Sequence, residues 1–288
     1  MSMSHSRVAC HLQAQTPLGP IRLGLCGLPG AHGHMDNIDI ALALARCEPL
    51  LLELEGWLAC ELDLLPIDSG TPPPSGLEAM VKTSAARHPD DSPERDEDRP
   101  GHDTDDGWLA PAGTRCHLPW TALLNLPAPP RLLGSQLTWP SLPFEMEIAR
   151  YARPPAKKNA GQAGGLMLLP LSFEAGWPVR LTHRDSDVHL HCDWQANSGR
   201  LKHAGPVSLG ASDATDEPPA WRVLLRDLVD VPSDWLLGWR AEPLSVEAAG
   251  ATARMNSPDG PVPWAEGPIV PALGGSALLV DRQPASHA

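Results

Sequence analysis

The stretch VRLTHRDSDVHLHCDW, residues 179–194, indicates most clearly how this chain folds. Two segments in which apolar and polar residues alternate, 179–182 and 188–194, flank the turn-forming residues 184–186. Alternation at every second residue is typical of a strand with one buried face. The stretch therefore predicts a β-hairpin whose apolar side chains face a core.

Further strands are predicted on the N-terminal side of this hairpin. Arg115–Leu118 has the residue types of a strand, and Phe144–Ile148 alternates apolar with acidic residues. Glu145 and Glu147 are therefore expected on an exposed strand face, and not as a catalytic pair of carboxylates. The apolar run Leu166–Leu171 predicts a central strand.

Helices are predicted at three places in the N-terminal half. Asp36 or Asn37 can cap a helix over 38–45, and Pro49 suits the first turn of a second helix. A third, short helix is expected over Pro119–Leu124, with proline at its start. Helical spacing places five apolar residues of the second helix on one core-facing side: Leu50, Leu51, Leu54, Trp57 and Leu58.

One long segment has a composition that opposes folding. Ser69–Gly107 opens with three prolines, and its part 87–107 contains nine acidic and three basic residues, a net charge of −6. A segment with so few apolar side chains buries too little surface to offset the entropy lost on ordering. We therefore expect a disordered insertion.

Composition and spacing together predict an α+β fold that is mostly β, with a few short helices. The 288 residues include 33 Pro and 25 Gly, which favours short elements joined by many loops. The polar loop 196–219 is the predicted linker before a small C-terminal β-rich module. The full division predicts a flexible N-terminus 1–19, an N-terminal domain 20–66 and 108–195, an insertion 67–107, a linker 196–219 and a C-terminal module 220–283.

The net charge and the cysteines indicate which partners are disfavoured and which cellular compartment is expected. The net charge is −13, and no cluster of Lys and Arg is available to neutralise phosphates, so nucleic acid and anionic membranes are disfavoured as partners. The six cysteines form no C-x-x-C pair and match no zinc motif. We expect buried free thiols and a cytoplasmic protein without signal peptide or membrane span.

Two histidine motifs are the candidates for metal chemistry. The stretch HGHMDN, residues 32–37, resembles the H-x-H-x-D-H signature of metallo-β-lactamase-fold hydrolases, but Asn37 replaces the last histidine. On the predicted hairpin, His189, His191 and Asp193 share one strand face, where strand period predicts a solvent-exposed surface. No catalytic, cofactor-binding or metal-binding residue is assigned, and no enzyme activity is predicted.

A tryptophan-rich patch is the candidate interface. The sequence WLLGW spans residues 235–239, and tryptophan is enriched where protein surfaces meet. The residues predicted to form this interface are Trp235, Leu236, Leu237 and Trp239.

Several stretches resemble the cytoplasmic-ring, or sorting-platform, proteins of bacterial type III secretion systems, which are related to flagellar motor-switch subunits. The resemblance rests on packing motifs, and none of these is catalytic. The stretches are Glu48–Leu50 through Glu55–Leu58, His117–Trp120, Leu137–Pro140, Glu147–Tyr151, Leu166–Phe173, Trp177–Leu181, Trp264–Val270 with Gly275, and Leu278–Val280.

The resemblance implies a motor-switch-like, SpoA-type C-terminal module and a role in assembly at the inner-membrane face of the secretion apparatus. Its implied partners are other ring protomers, the regulator of the export ATPase, and chaperone–substrate complexes, within a homo- or hetero-oligomer. Family members usually carry two such modules and this chain has sequence for one, so a second chain is expected to supply the other. The alternatives are another bacterial protein-binding or chaperone-like module and a metal-dependent hydrolase.

Overall fold

The protein is mostly β: of the residues that the structure describes, 49% lie in strands, which form two antiparallel sheets, as the sequence predicts. A computed structural model describes residues 8–26, 37–68, 70–82, 113–153, 163–169, 176–195, 198–210, 220–246, 251–258, 263–272 and 275–281. The chain divides into two compact units, Met1–Pro140 and Ser141–Ala288.

The first unit is built on a small antiparallel sheet. Its elements are β1 (Val8–Thr16), β2 (Gly19–Cys26), α1 (Asn37–Leu58), β3 (Leu65–Ile67), β4 (Gly76–Val81), β5 (Arg115–Pro119), α2 (Trp120–Leu123), α3 (Arg131–Gln136) and β6 (Leu137–Thr138). The described strands follow the order β3-β1-β2-β5-β4-β6. The predicted strand at 115–118 and the short helix after Pro119 are both confirmed.

The helix α1 differs from the sequence prediction. Two short helices were expected to meet at Pro49, but one continuous helix of 22 residues runs through it. Proline removes one backbone hydrogen bond from a helix interior, which opposes continuity. Burial of an apolar face on both sides of Pro49 favours it, and this face consists of Ala43, Cys47, Leu50, Leu54, Trp57 and Leu58.

Two strands of this sheet lie where the sequence predicted unstructured chain. β1 falls within the N-terminus 1–19 that was expected to be flexible, and its Leu12 and Ala14 are fully buried. β4 falls within the predicted insertion 67–107, and its alternating Leu77, Ala79 and Val81 are buried where it pairs with β5. Apolar alternation over six residues is enough for a strand once a partner strand is present. Within the insertion, residues 69 and 83–107 lie outside the described residues.

The second unit is a larger antiparallel sheet. Its elements are β7 (Ser141–Tyr151), β8 (Leu166–Leu169), β9 (Trp177–His183), β10 (His189–Gln195), β11 (Arg200–His203), β12 (Trp221–Leu225), β13 (Val229–Pro232), α4 (Ser233–Leu236), β14 (Leu244–Ser245), β15 (Thr252–Asn256), β16 (Pro263–Ala272) and β17 (Gly275–Leu279). The described strands follow the order β14-β11-β10-β9-β7-β12-β15-β16-β17-β8, and β13 also pairs with β7.

The predicted hairpin over 179–194 is confirmed as β9 and β10. The His183 amide donates a 2.8 Å hydrogen bond to the Val188 carbonyl, and Asp187 adopts a positive φ of 48° in the turn. Aspartate tolerates this left-handed backbone conformation better than most residues. The side chains predicted to face the core are all buried, namely Val188, Leu190, Cys192 and Trp194.

The second unit also corrects the predicted domain boundaries. The loop 196–219 does not separate a C-terminal module from the rest, because β12 pairs with β7 and β17 pairs with β8. Strands from residues 220–283 therefore share one sheet with strands from 141–195. The compact units divide at Pro140 instead. The polar composition of the loop predicted two separate domains, but antiparallel strand pairing joins the segments on either side of it.

Candidate interaction surface

The predicted tryptophan interface lies in and just after α4, and its centre is buried within the chain. Trp235 is 2% exposed and Leu236 is fully buried, while Leu237 and Trp239 are half-buried. His203 Nε2 donates a 2.7 Å hydrogen bond to the Trp235 carbonyl, and the two ring centroids are 4.2 Å apart. Trp235 and Leu236 do not form an exposed patch, because this one-turn helix directs them into the core of the second unit.

Of the two histidine motifs, the structure describes the one on β10. His32, His34 and Asp36 lie outside the described residues. On β10, His191 and Asp193 are exposed and His189 is half-buried, as the strand period predicts. Among the residues that the structure describes, no group of three or more His, Cys, Asp and Glu side chains could hold a metal ion.

An ion-pair cluster occupies the sheet face where Glu145 and Glu147 were predicted to be exposed. Glu145 on β7 is 18% exposed, and one of its oxygens accepts hydrogen bonds from two arginines, Arg184 in the turn after β9 and Arg254 on β15. Arg184 Nη2 lies 2.6 Å from Glu145 Oε1, and Arg254 Nη2 lies 3.3 Å from the same atom. One carboxylate thus links β7 to β15 and to the turn that follows β9.

Glu147 is the most enclosed carboxylate of this cluster, with 7% of its side chain exposed. Arg150 Nε donates a 2.7 Å hydrogen bond to Oε1, and Arg222 on β12 donates to Oε2. Burial acts to raise the pKa of Glu147, but the two guanidinium groups outweigh it and hold that pKa below its ordinary value. A carboxylate engaged at both oxygens is a poor proton acceptor, so the pair joins β7 to β12 and does not suit acid–base chemistry.

The apolar end of the same sheet is the best candidate for an interaction surface. Leu166 and Leu168 on β8 are 52% and 55% exposed. Leu168 lies opposite Ala277, which lies opposite Val270, and Leu166 lies opposite Leu279. Directly opposed residues of an antiparallel pair project from one face. We call the outer face formed by Leu166, Leu168, Val270 and Leu279 the leucine edge.

Among the described strands, β8 has one open edge. The sequence predicts a central strand here, but β8 ends the sheet order, and in the described part of the chain β17 is its one strand partner. Its Met167 and Leu169 are buried, so one side of the strand serves the core. The Leu168 carbonyl accepts a 3.0 Å hydrogen bond from the Tyr151 hydroxyl. An edge strand with exposed apolar side chains can pair with another chain.

The sequence contains one overlooked signal for this edge. Four consecutive apolar residues, Leu166–Leu169, are typical of a strand buried on both faces, so the run favours a central position. Pro170 follows directly and was included in the predicted strand. Proline cannot donate to a β-ladder and is largely confined to edge strands. Greater weight on Pro170 would have placed the run at an edge.

None of the helices in the described ranges is long and apolar enough to cross a membrane. No family model, curated protein or solved structure matches the chain.

Proposed function

We propose that this chain is a non-enzymatic assembly subunit that joins other protein chains through the leucine edge. The observation that carries this function is the pair of leucines, each more than half exposed, on a strand at the end of a sheet. Burying such side chains against a partner is favourable, and the open edge supplies backbone hydrogen bonds that fix the register of an added strand. Natural proteins usually protect exposed apolar strand edges that have no partner.

The proposed setting is the cytoplasmic ring of a bacterial type III secretion system. Support comes from the stretches that carry the family resemblance. Leu166–Phe173 contributes β8, Trp264–Val270 contributes most of β16, and Leu278–Val280 overlaps the end of β17. The first stretch lies about 90 residues before the other two, yet all three belong to consecutive strands of one sheet. A motor-switch-like, SpoA-type module would be built around them.

In this setting the leucine edge contacts a second module of the same type. That module comes from another copy of the chain or from a different ring subunit. The remaining partners are the regulator of the export ATPase and the chaperone–substrate complexes, met in the cytoplasm at the inner-membrane face of the secretion apparatus. The subunit contributes binding surfaces, not catalysis.

A charge-insertion experiment tests the edge. In the full-length chain, Leu166→Lys together with Leu168→Lys places two cations on the proposed contact, where desolvating them opposes association. Both side chains are more than half exposed, so the fold is expected to persist. Leu228→Lys is the matched control, because Leu228 is 50% exposed in the same unit but outside the leucine edge.

Light scattering and co-purification with ring subunits are the measurements. The wild type and Leu228→Lys are expected to associate, and the double variant is expected to lose at least about tenfold in affinity. Equal association of all three proteins would contradict the role of the edge. Self-association that depends on the edge, without any binding to ring subunits, would contradict the type III setting and favour another protein-binding module.

A further inference from the structure

The helix α1 has apolar side chains on two opposite faces. One face is buried in the first unit. On the other, the structure leaves a row of exposed apolar residues that follow one another at intervals of four, three, four and three positions. This outer seam consists of Ile38, Leu42, Ala45, Pro49 and Leu52. Its three large members, Ile38, Leu42 and Leu52, are 70%, 52% and 62% exposed.

Such a row is unusual for a helix at a protein surface. A surface helix normally turns polar residues outward, and a helix that is apolar all round is normally covered on both sides. The alternating spacing of four and three is that of the seam along which two helices pack in a coiled coil. We propose that the outer seam binds an amphipathic helix of a partner protein, with leucine or isoleucine on its contact face and lysine or arginine beside it.

The charges beside the outer seam select the partner's chemistry. Asp39, Arg46, Glu48 and Glu53 each neighbour a seam residue in sequence, and Glu55 lies beyond them on the same helix. With four carboxylates and one guanidinium, α1 has a net side-chain charge of −3. A helix with basic flanks would neutralise this excess, which favours both encounter and register.

A second copy of the chain fits the seam poorly. It would bring the same acidic flanks of α1 against each other. The small Ala45 lies between Leu42 and Pro49 along the seam. This leaves room for a large apolar side chain from the partner, which is the arrangement of a knob entering a hole.

Two designed peptides of the length of α1 test the proposal on the full-length chain. Both carry leucine and isoleucine at seam positions. One has lysine and arginine on its flanks, and the other has glutamate at the same positions. Fluorescence anisotropy of the labelled peptides is expected to show binding of the basic peptide, at least about tenfold tighter than the acidic one. That preference is expected to shrink between about 0.05 and about 0.5 M salt, because ions screen exposed charges.

Variants locate the binding and separate it from nonspecific adhesion. Leu42→Gln with Leu52→Gln is expected to weaken the basic peptide at least about tenfold. The control Leu132→Gln, at a 50% exposed leucine of α3, is expected to leave its affinity unchanged. Glu48→Lys with Glu53→Lys is expected to reverse the preference toward the acidic peptide.

Three outcomes would overturn the proposal. These are equal affinity for both peptides, equal weakening by the control and the seam variant, or wild-type dimers that the seam variant converts to monomers. The last result would assign the seam to a second copy of the chain. If circular dichroism showed that the seam variant is unfolded, the charge-reversal variant Glu48→Lys, Glu53→Lys would be the test of the proposal. The leucine-edge variant Leu166→Lys, Leu168→Lys is expected to bind the basic peptide normally, so this test and that of the assembly function can fail independently.

Discussion

Glu147 stabilises the second unit only while its carboxyl group is ionised. Arg150 and Arg222 hold its pKa below the ordinary value despite burial. A lowered folded-state pKa means that the unfolded chain binds the proton more readily. The stabilisation is therefore fully present above the ordinary pKa, about 4.5, and is lost as the pH falls toward and through the folded value.

Replacing this carboxylate tests the ion-pair cluster. Glu147→Gln is expected to lower the free energy of unfolding by about 1–3 kcal/mol at neutral pH, because it removes the negative charge between two arginines and replaces one acceptor oxygen with a donor. The difference from wild type should shrink as the pH is lowered below about 4. Urea denaturation at several pH values measures it, with Glu242→Gln at an exposed pair with Arg240 as the control. Equal stability of Glu147→Gln and wild type at neutral pH would contradict the assignment.

The buried cysteines should be chemically inert in the folded protein. Burial raises the pKa of Cys47 to about 11 and the pKa values of Cys116 and Cys192 to about 12. Since the thiolate is the reactive form, iodoacetamide at about pH 8 is expected to label these three only after unfolding. The partly exposed Cys60 should react faster. Peptide mass spectrometry with and without urea reads each site, and rapid native labelling of Cys116 would show that its burial is wrong.

At the level of elements, Pro49 interrupts the hydrogen bonding of α1 without breaking the helix. Pro49 is exposed, so its replacement creates no cavity. Pro49→Ala restores an amide donor to the helix and is expected to raise the free energy of unfolding by about 1–3 kcal/mol. Thermal or urea denaturation measures the change. A loss of stability would mean that a bend at Pro49 is required for packing of Cys47 and Leu50.

At the scale of the whole molecule, strand pairing predicts which fragments can fold. The described strands of Ser141–Ala288 pair within that unit, so the fragment 141–288 is expected to fold alone and unfold cooperatively in urea. The fragment 220–283 is expected to remain unfolded, because β12 and β17 each lose one of their two partner strands, β7 and β8. Circular dichroism distinguishes these cases. A folded 220–283 fragment would restore the separate C-terminal module that the sequence predicted.

Local pattern alone predicted those parts of the fold that depend on neighbouring residues. The hairpin over 179–194, the strand at 115–118 and the short helix after Pro119 all follow from alternation, turn residues and proline geometry. These signals arise within a few residues of backbone, so no distant contact is needed to detect them. The buried cysteine and tryptophan of β10 were predicted in the same way.

Burial and position within a sheet were decided by tertiary structure. Glu147 is enclosed because Arg222 comes from a strand 75 residues away, and Trp235 is buried partly by His203. Leu166–Leu169 forms an edge strand because its one described partner is β17, far along the chain. The same apolar residues fit a central strand, an edge or an interface, since hydrophobicity sets the gain from burial but not which surface provides it. Only the pairing of distant segments determines whether such residues become a central strand, an edge or an interface.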